Sequence, residues 1–386
     1  MEKKRVLRSN FFNEFFNSEK AGGLILLIAT IISLTITNLS FGHQYYHFWH
    51  KEIFGASILH WVNDGLMVIF FLLVGLELKR EIFEGELSNI KKASLPVIAA
   101  FGGMIIPATI YALINIPTGN FRGAGIPMAT DIAFAIGVLS LAGKRVSMSL
   151  KIFLTALAVI DDLGAILVIA LFYSKTLNLL YLGGSLLVAL ILFAFNRLKI
   201  NKLFVYIIGG ILMWYLMLNS GVHSTIAGVI LAFLIPTSKD KSKRSLSENL
   251  EHRINKPVAF IILPIFALAN TSIIINAMSF TELLNYNDIG IMAGLLLGKP
   301  IGILLFSYLG IKMKICALPD KLHLYDLIGV SILGGIGFTM SIFITFLAFD
   351  TSLIMIDSSK IAIISSSTIA GIIGYFWLIL SNKKHK

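Results

Sequence analysis

Charged residues are scarce in this sequence, and cysteine is nearly absent. Asp, Glu, Lys and Arg make up only 14% of the 386 residues, and the mean hydropathy is +0.85. Because soluble domains contain about 25% charged residues, this composition excludes an ordinary water-soluble protein. The single cysteine, Cys316, excludes an intrachain disulfide and a cysteine-based metal cluster. We interpret Cys316 as a small apolar packing residue.

The sequence instead contains apolar runs of roughly 20 residues, each long enough to cross a hydrocarbon core of about 30 Å. The runs are continuous rather than alternating, which argues against a membrane β-barrel. We therefore predict an all-α polytopic membrane protein, a single membrane domain over 1–386 with twelve transmembrane helices. A cytoplasmic segment 1–20 would precede them and a cytoplasmic tail 382–386 would follow. The predicted spans are 21–38, 59–78, 94–115, 124–143, 150–174, 179–196, 203–218, 223–236, 257–275, 289–311, 327–349 and 359–381.

Lys and Arg are distributed unevenly between the predicted loops. Of the 32, 27 lie in the terminal and connecting segments on the side of the N-terminus, four lie on the other side, and Lys299 lies within a span. Positive charge accumulates on the cytoplasmic side of membrane proteins, so both termini are predicted to be cytoplasmic. The net charge of +11 therefore indicates topology and attraction to anionic lipid, and not a nucleic-acid-binding surface.

Four ionisable residues stand out deep inside predicted spans, where a charge is costly and usually functional. They are Asp131, the adjacent Asp161 and Asp162, and Lys299. One aspartate with Lys299 would make a structural ion pair, but three carboxylates leave an excess of negative charge that cations or protons must balance. Residues 161 and 162 are about 100° apart around a helix, so one can join Asp131 while the other meets Lys299. Hard oxygen ligands suit Na⁺ or Li⁺, and no resident cofactor is expected.

Glycine and proline interrupt two of the predicted spans. Span four begins with Gly123, Gly125 and Pro127 before Asp131, and span eleven contains the segment Gly334–Ser341. Such clusters allow a helix to open where the backbone is buried in protein or lines a cavity. Close helix packing through small residues is the alternative. Their combination with Asp131 and with Thr339 favours two broken, crossed helices in an inverted-repeat transporter.

These motifs are similar to those of a known family, the bacterial NhaA sodium/proton antiporters, over nearly the whole chain. The resemblance implies a twelve-span fold with inverted repeats and crossed, broken spans four and eleven. It also implies electrogenic exchange of Na⁺ or Li⁺ for protons in the bacterial inner membrane, by a homodimer that is a transporter and not an enzyme. The segments that carry it are Val74–Glu81, Ala129–Val138, Ala158–Ala165, Leu297–Pro300 and Gly337–Ser341.

The resemblance also suggests roles for individual residues. It makes Asp131 and Asp162 the carboxylates that bind Na⁺ or protons, Thr130 an assisting ligand, and Asp161 the partner of Lys299. Na⁺ binding requires ionised aspartates, so protonation would expel the cation, and coupled carboxylates share their protons.

A pH-sensing cluster is a further implication of the resemblance. A salt-bridged helix end explains the spacing of residues 77, 80 and 81 equally well. Where the family often has a second histidine after His252, this chain reads Arg253, Ile254, Asn255, Lys256, so an altered pH profile is expected. The matching positions are Glu77, Arg80, Glu81, His223, Glu251 and His252.

Other interpretations of the sequence stay open. His43, His47 and His50 in a predicted outer loop would suit a zinc site, but beside Tyr and Trp they are more typical of a membrane-interface loop. By family analogy this loop is also a candidate dimer contact. Na⁺ and protons are the expected substrates, in sodium and pH homeostasis. The main alternative is a proton-coupled carrier of an organic solute. A channel, a membrane enzyme and a nucleotide-driven pump are disfavoured, because ring-forming carboxylates and catalytic or phosphate-binding motifs are lacking.

Overall fold

The structure is a computed structural model. It describes residues 19–143, 146–173, 177–237, 245–275, 285–318, 323–350 and 352–381. The predicted cytoplasmic segment 1–20, except its last two residues, and the tail 382–386 lie outside the described residues. Within this part of the chain the protein is predominantly helical, as the apolar runs predict.

The described residues form fourteen helices, numbered α1 to α14, and one small hairpin, together with short 3₁₀ helices. Three of the helices, α3, α10 and α11, include a π-helical turn, at Trp61–Leu66, Val258–Ile262 and Gly294–Gly298. The elements are α1 (Glu19–Thr37), α2 (Gly42–His50), β1 (Glu52–Ile53), β2 (Ala56–Ser57), α3 (Ile58–Phe83), α4 (Ile90–Ile114), α5 (Ile132–Leu141), α6 (Met148–Phe172), α7 (Leu179–Arg197), α8 (Leu203–Leu218), α9 (Ile226–Leu234), α10 (Leu246–Asn270), α11 (Tyr286–Lys312), α12 (Leu324–Gly334), α13 (Phe338–Ala348) and α14 (Leu353–Ser381), with 3₁₀ helices at Glu86–Ser88 and Phe121–Met128.

Among the described residues, eight helical segments are long and apolar enough to cross a membrane. The number rises to ten if each of two bent pairs, α1 with α2 and α12 with α13, counts as one span. This confirms a polytopic helical membrane protein, with fewer qualifying segments than the twelve predicted. The difference lies in α8, which has 16 residues, and α9, which has nine, since about 20 residues are needed for a full crossing.

Two details differ from the sequence prediction. The predicted all-α fold contains a two-stranded antiparallel hairpin, in which Glu52 pairs with Ser57. The polar stretch 237–256 is not a loop throughout, because α10 begins at Leu246 behind a capping box formed by Ser245 and Glu248. This box satisfies backbone N–H groups at the helix start and lets helix form ahead of the apolar run.

The burial of the helices separates a centre from a periphery. In the most apolar window of α6, 67% of the residues are buried, against 11% in α7, so α6 is central and α7 peripheral. Helices α4 and α11 pack most closely at two glycines: a Cβ added to Gly302 would lie 2.1 Å from the carbonyl oxygen of Gly102. Small residues at such a crossing allow the two backbones to approach.

The two ends of the bundle can be named from the hairpin. Helix α3 starts beside β2 and runs to Phe83, so the hairpin marks one end, called the hairpin end, and Phe83 lies at the opposite end. Helix α4 runs back to the hairpin end. There its Tyr111 hydroxyl donates to Asn287 near the start of α11, so α11 also begins at the hairpin end.

Candidate cation-binding site

The chain is extended between the 3₁₀ helix Phe121–Met128 and α5. Ala129 has φ −81° and ψ 150°, and Asp131 has φ −81° and ψ 101°. Helix α5 restarts with Asp131 as its N-cap: the carboxylate Oδ1 accepts a hydrogen bond from the backbone N–H of Phe134 at 2.9 Å. An aspartate in this position satisfies a helix N–H group that would otherwise lack a partner.

A second interruption separates α12 from α13, and the two helices are bent by 43° at this point. The interruption lies at Gly335–Gly337. Glycine is required here, since a Cβ on Gly335 would lie 2.5 Å from the carbonyl oxygen of Leu295. The glycine cluster noted in the sequence therefore serves both a helix break and a close backbone approach.

Hydrogen bonds join the two interruptions directly. The backbone N–H of Asp131 donates to the carbonyl oxygen of Ile336 at 2.7 Å, and the Thr130 hydroxyl lies 2.8 Å from the carbonyl oxygen of Gly334. The carbonyls at the end of α12 lack partners within their own helix. The break at 129–131 thus supplies donors to backbone groups freed by the break at 335–337.

The Asp131 carboxylate is fully engaged with protein donors. Its Oδ2 accepts from the Thr339 backbone N–H at 3.0 Å and from the Thr339 hydroxyl at 2.5 Å, in addition to the Phe134 bond on Oδ1. Asp131 therefore holds the first turns of both α5 and α13. Thr339 was noted in the sequence as part of the second break, but not as a site residue.

Asp161 and Lys299 form an ion pair in the centre of the bundle. The Lys299 ammonium donates to Asp161 Oδ2, and the Thr130 hydroxyl lies 2.9 Å from the same oxygen. Lys299 is completely buried, at the point where α11 leaves its π-helical turn. The structure thus brings Thr130 to the Asp161–Lys299 pair.

Asp162 is the buried carboxylate with the least support from the protein. It is 1% exposed, and neither of its oxygens has a hydrogen-bond partner within the part of the chain that the structure describes. Asp161 next to it is a second buried carboxylate, and the nearby Lys299 ammonium is paired with Asp161. A buried carboxylate in this situation needs a cation or a proton.

One cavity reaches this centre, and a second lies at the hairpin end. A cavity of about 120 Å³ is lined by Asp131 and Thr339 and extends past Glu77 to Asn255 of α10. A larger one, of about 270 Å³, lies at the hairpin end and is lined by His223, Asp64 and Phe343, among others. Phe343 belongs to α13, so this helix borders both the second cavity and the site.

The predicted pH-regulating residues divide into two groups. Arg80 pairs with Glu251 and with Glu81, the latter at 3.3 Å, which connects α3 to α10 at the opposite end of the bundle. His252 follows Glu251 in the chain, but its side chain is exposed. Glu77, one turn before Arg80, lines the smaller cavity with Asp131.

His223 lies apart from this group, at the hairpin end. Its Nε2 is 3.6 Å from Asp64 Oδ1, and His60 Nε2 is 3.1 Å from the other oxygen of the same carboxylate. The His223 ring packs edge-on against Phe343, with centroids 5.5 Å apart. The structure therefore does not bring His223 together with Arg80 and Glu251.

The three histidines at 43, 47 and 50 lie on α2. His50 stacks on Tyr46 with ring centroids 4.1 Å apart, and His43 and His47 are exposed. Within the described ranges, no group of three His, Cys, Asp or Glu residues has a geometry that could hold a metal ion. The zinc alternative thus gains no support there.

One further buried carboxylate lies just outside a predicted span. Asp288 is 1% exposed in the first turn of α11, whereas the predicted span began one residue later, at 289. Lys360, one of the four basic residues counted on the side opposite the N-terminus, is also buried, within α14. A polar residue just outside an apolar run is the only signal that the sequence offered.

Comparison with known proteins decides the family. A sequence profile of the family described as Na⁺/H⁺ antiporter 1 matches residues 13–378. The chain belongs to this family. The matched region includes every residue of the site, from Thr130 to Thr339. The buried aspartates and Lys299 therefore lie within the part of the chain that matches the antiporter family.

Individual members of the antiporter family are similar over nearly their full length. A protein of Cytophaga hutchinsonii named Na⁺/H⁺ antiporter NhaA is 56% identical over 376 residues, 97% of each chain. Its namesake in Dechloromonas aromatica is 55% identical over 372 residues, 96% of each chain. The Vibrio cholerae namesake is 45% identical over 375 residues, 97% of this chain and 98% of its own.

Proposed function

We propose that this protein exchanges Na⁺ or Li⁺ for protons across the bacterial inner membrane, as a secondary antiporter. The observation that carries the proposal is Asp162, a buried carboxylate whose two oxygens have no described protein partner. Its position beside a second carboxylate, Asp161, makes a bound cation or proton necessary for charge balance. The names of the relatives supply the identity of the exchanged ions.

Exchange follows from competition at the aspartates. An ionised Asp162 offers two oxygens to a small hard cation, and a protonated one does not. Asp131, whose oxygens are held by Thr339 and Phe134, would join the cation by giving up one of these bonds. Thr130, which lies within hydrogen-bond distance of Asp161, would supply a further oxygen, and the Lys299 ammonium would balance Asp161 throughout.

Alternating access is expected to use the interrupted segments. The cavity past Glu77 reaches Asp131, and the cavity beside His223 lies at the hairpin end. These two cavities would be the paths by which ions enter and leave. The hydrogen-bonded breaks at 129–131 and 335–337 would act as the joint between inverted repeats, with spans four and eleven crossing there. In this proposal α8 and α9 also cross the membrane, which gives twelve spans and two cytoplasmic termini.

Three further properties belong to the same proposal. Exchange would be electrogenic, with more protons than cations moved, because more than one carboxylate can be protonated. The group of Glu77, Arg80, Glu81, Glu251 and His252 would set the pH dependence, with His223 acting from the hairpin end. The protein would work as a homodimer in contact with membrane lipid, and its sodium and proton transport would need no resident cofactor.

Everted membrane vesicles with a pH-gradient dye test the proposal. Na⁺ and Li⁺, but not K⁺, should dequench the dye over a pH series, and Asp162→Asn should abolish the response. Asp357→Asn is the matched control and should respond like the wild type. Asp357 lies outside the site, and its Oδ1 is 3.0 Å from the Lys360 ammonium nitrogen. If inserted wild-type protein responds to no cation at any pH, antiport is wrong and the organic-solute carrier takes its place.

A further inference from the structure

A second buried polar cluster lies at the hairpin end of the bundle, outside the aspartate–lysine site. It combines side chains of three spans: Tyr111 from α4, Asn287 and Asp288 from α11, and Ser358 and Ser359 from α14. All five are buried. Polar groups gathered between membrane helices at such a cost mark functional positions more often than packing.

Hydrogen bonds connect the side chains of this cluster to Asp288. The Tyr111 hydroxyl donates to Asn287 Oδ1 at 2.6 Å. The Asn287 amide then donates to Asp288 Oδ1 at 2.9 Å and to Ser359 Oγ at 2.8 Å. The Ser358 hydroxyl lies 3.2 Å from Asp288 Oδ1 and 3.3 Å from the carbonyl oxygen of Met355. The Asn287 amide and the Ser358 hydroxyl thus both lie at one carboxylate oxygen, Oδ1.

The other oxygen, Asp288 Oδ2, receives none. It is buried and has no hydrogen-bond partner among the described residues, although Asp288 as a whole is 1% exposed. Within the same ranges, Asp288 takes part in no ion pair: the nearest lysine along α11, Lys299, pairs with Asp161. An ionised carboxylate would therefore leave a charged oxygen buried without compensation, which proteins avoid.

The charged groups on the neighbouring elements do not provide that compensation. On α14, Lys360 pairs with Asp357 at 3.0 Å and lies 4.8 Å from the Phe346 ring centroid. On the 3₁₀ helix Phe121–Met128, the Arg122 side chain is exposed. The other titratable groups on α4 and α14, apart from Tyr111, belong to the opposite end of the bundle: Lys91, Lys92 and Tyr375.

We propose that Asp288 is a second proton-binding carboxyl, separate from the aspartates around Lys299. It carries its proton on Oδ2 in this conformation and exchanges it at the hairpin end. A proton fits the site better than a metal cation, since only one carboxylate is present and the Asn287 carbonyl oxygen already accepts from Tyr111. The bound proton cancels the buried charge, and the donors on Oδ1 stabilise the carboxylate when the proton leaves.

The cluster is connected to the broken segments through Tyr111. A Cβ on Gly123, in the 3₁₀ helix that precedes Ala129, would lie 2.1 Å from the Tyr111 hydroxyl. A Cβ on Gly290, in the first turns of α11, would lie 2.6 Å from the Asn115 amide nitrogen. Loss of the proton from Asp288 would therefore change the electrostatic environment where α4, α11 and the 3₁₀ helix Phe121–Met128 pack together.

Infrared difference spectroscopy on the full-length protein in lipid tests this inference without relying on transport. Wild type should show a protonated-carboxyl C=O band at neutral pH that disappears at alkaline pH, and Asp288→Asn should lack this band at every pH. Asp357→Asn is the matched control and should keep it. Ser358→Ala removes a donor to the ionised form, so its band should persist to a more alkaline pH.

Two results would overturn the proposal. If wild type and Asp288→Asn give the same carboxyl bands, Asp288 is ionised. If the band is present but does not respond to alkali while the protein remains folded, Asp288 is a static buried acid and exchanges nothing. Thermal unfolding of each variant controls for folding. Dye dequenching in the same preparations separates the two proposals, because the band can titrate whether or not Na⁺ is exchanged.

Discussion

The backbone N–H of Asp131 donates to the carbonyl oxygen of Ile336 at 2.7 Å, which ties together two helix interruptions about 200 residues apart in the chain. The Asp131 side chain adds two bonds to Thr339, on the other side of the same interruption. A residue at the proposed cation site is therefore also part of the joint between the broken segments. In the proposed mechanism, cation binding and backbone geometry are coupled through this one aspartate.

Thr339→Val tests this coupling. Valine keeps the shape of threonine but removes the hydroxyl that donates to the Asp131 carboxylate, and hydrogen bonds to charged groups contribute about 1.5–3 kcal/mol. We expect the free energy of unfolding to fall by an amount in this range, and the Na⁺ concentration for half-maximal exchange to change. Thermal unfolding and dye dequenching measure the two effects.

Thr345→Val is the matched control for that experiment. Thr345 is buried in the same helix, α13, but its hydroxyl donates to the Ser341 carbonyl oxygen within the helix, at 2.9 Å. The Thr345→Val substitution should leave the Na⁺ concentration for half-maximal exchange unchanged. Equal effects of both substitutions on Na⁺ dependence would show that Thr339 acts only as a packing residue.

Lys299→Met should strongly destabilise the protein, because it leaves Asp161 as an uncompensated buried charge. Breaking such a pair by removing one partner costs about 3–5 kcal/mol. The double variant Lys299→Met with Asp161→Asn should recover part of this loss, since no buried charge then remains at 161. Thermal unfolding of the two single variants and the double variant gives the coupling energy. Additive effects would contradict a direct interaction between the two side chains.

Glu251→Gln should shift the pH dependence of exchange more than its maximal rate. It removes the charge that pairs with Arg80 and changes the electrostatic environment of Glu77, which lines the cavity leading to Asp131. The effect on stability should be small, about 1 kcal/mol or less, because the Arg80 side chain is 42% exposed. Dye dequenching over a pH series measures the shift. Glu84→Gln is the control, because Glu84 is an exposed residue at the same end of the bundle. If the pH profiles of Glu251→Gln and the wild type superimpose, the Arg80–Glu251 pair is purely structural.

Gly302→Val tests the close approach of α4 and α11. The added side chain would collide with the carbonyl oxygen of Gly102, and overpacking of this kind costs about 1–3 kcal/mol or more. We expect a lower unfolding temperature and reduced exchange, since Lys299 lies one turn away on α11. Gly183→Ala is the matched control: nothing lies within 4 Å of the added Cβ, and the helix should gain up to about 1 kcal/mol. A stable Gly302→Val variant would refute the proposed contact.

Several features of the site were predictable from single segments of sequence. Asp131, Asp161, Asp162 and Lys299 were identifiable because a charged residue within an apolar run is conspicuous whatever the fold. The helical interruptions were visible as glycine and proline clusters. The number of spans was less predictable, since α8 and α9 are shorter than a full crossing. The predicted span 223–236 also extends beyond α9 at both ends.

The sequence by itself determined the class of protein, because hydrophobic length and the distribution of Lys and Arg are properties of the chain alone. Tertiary structure decided how each carboxylate is used. Asp131 has its oxygens held by protein donors, and Asp161 has a lysine on one oxygen. One oxygen of Asp161, one of Asp288 and both of Asp162 are buried without described partners. Those differences depend on which helices meet, and partners such as Asp131 and Thr339 are 208 residues apart. Local sequence carries no information about a hydrogen bond over that separation.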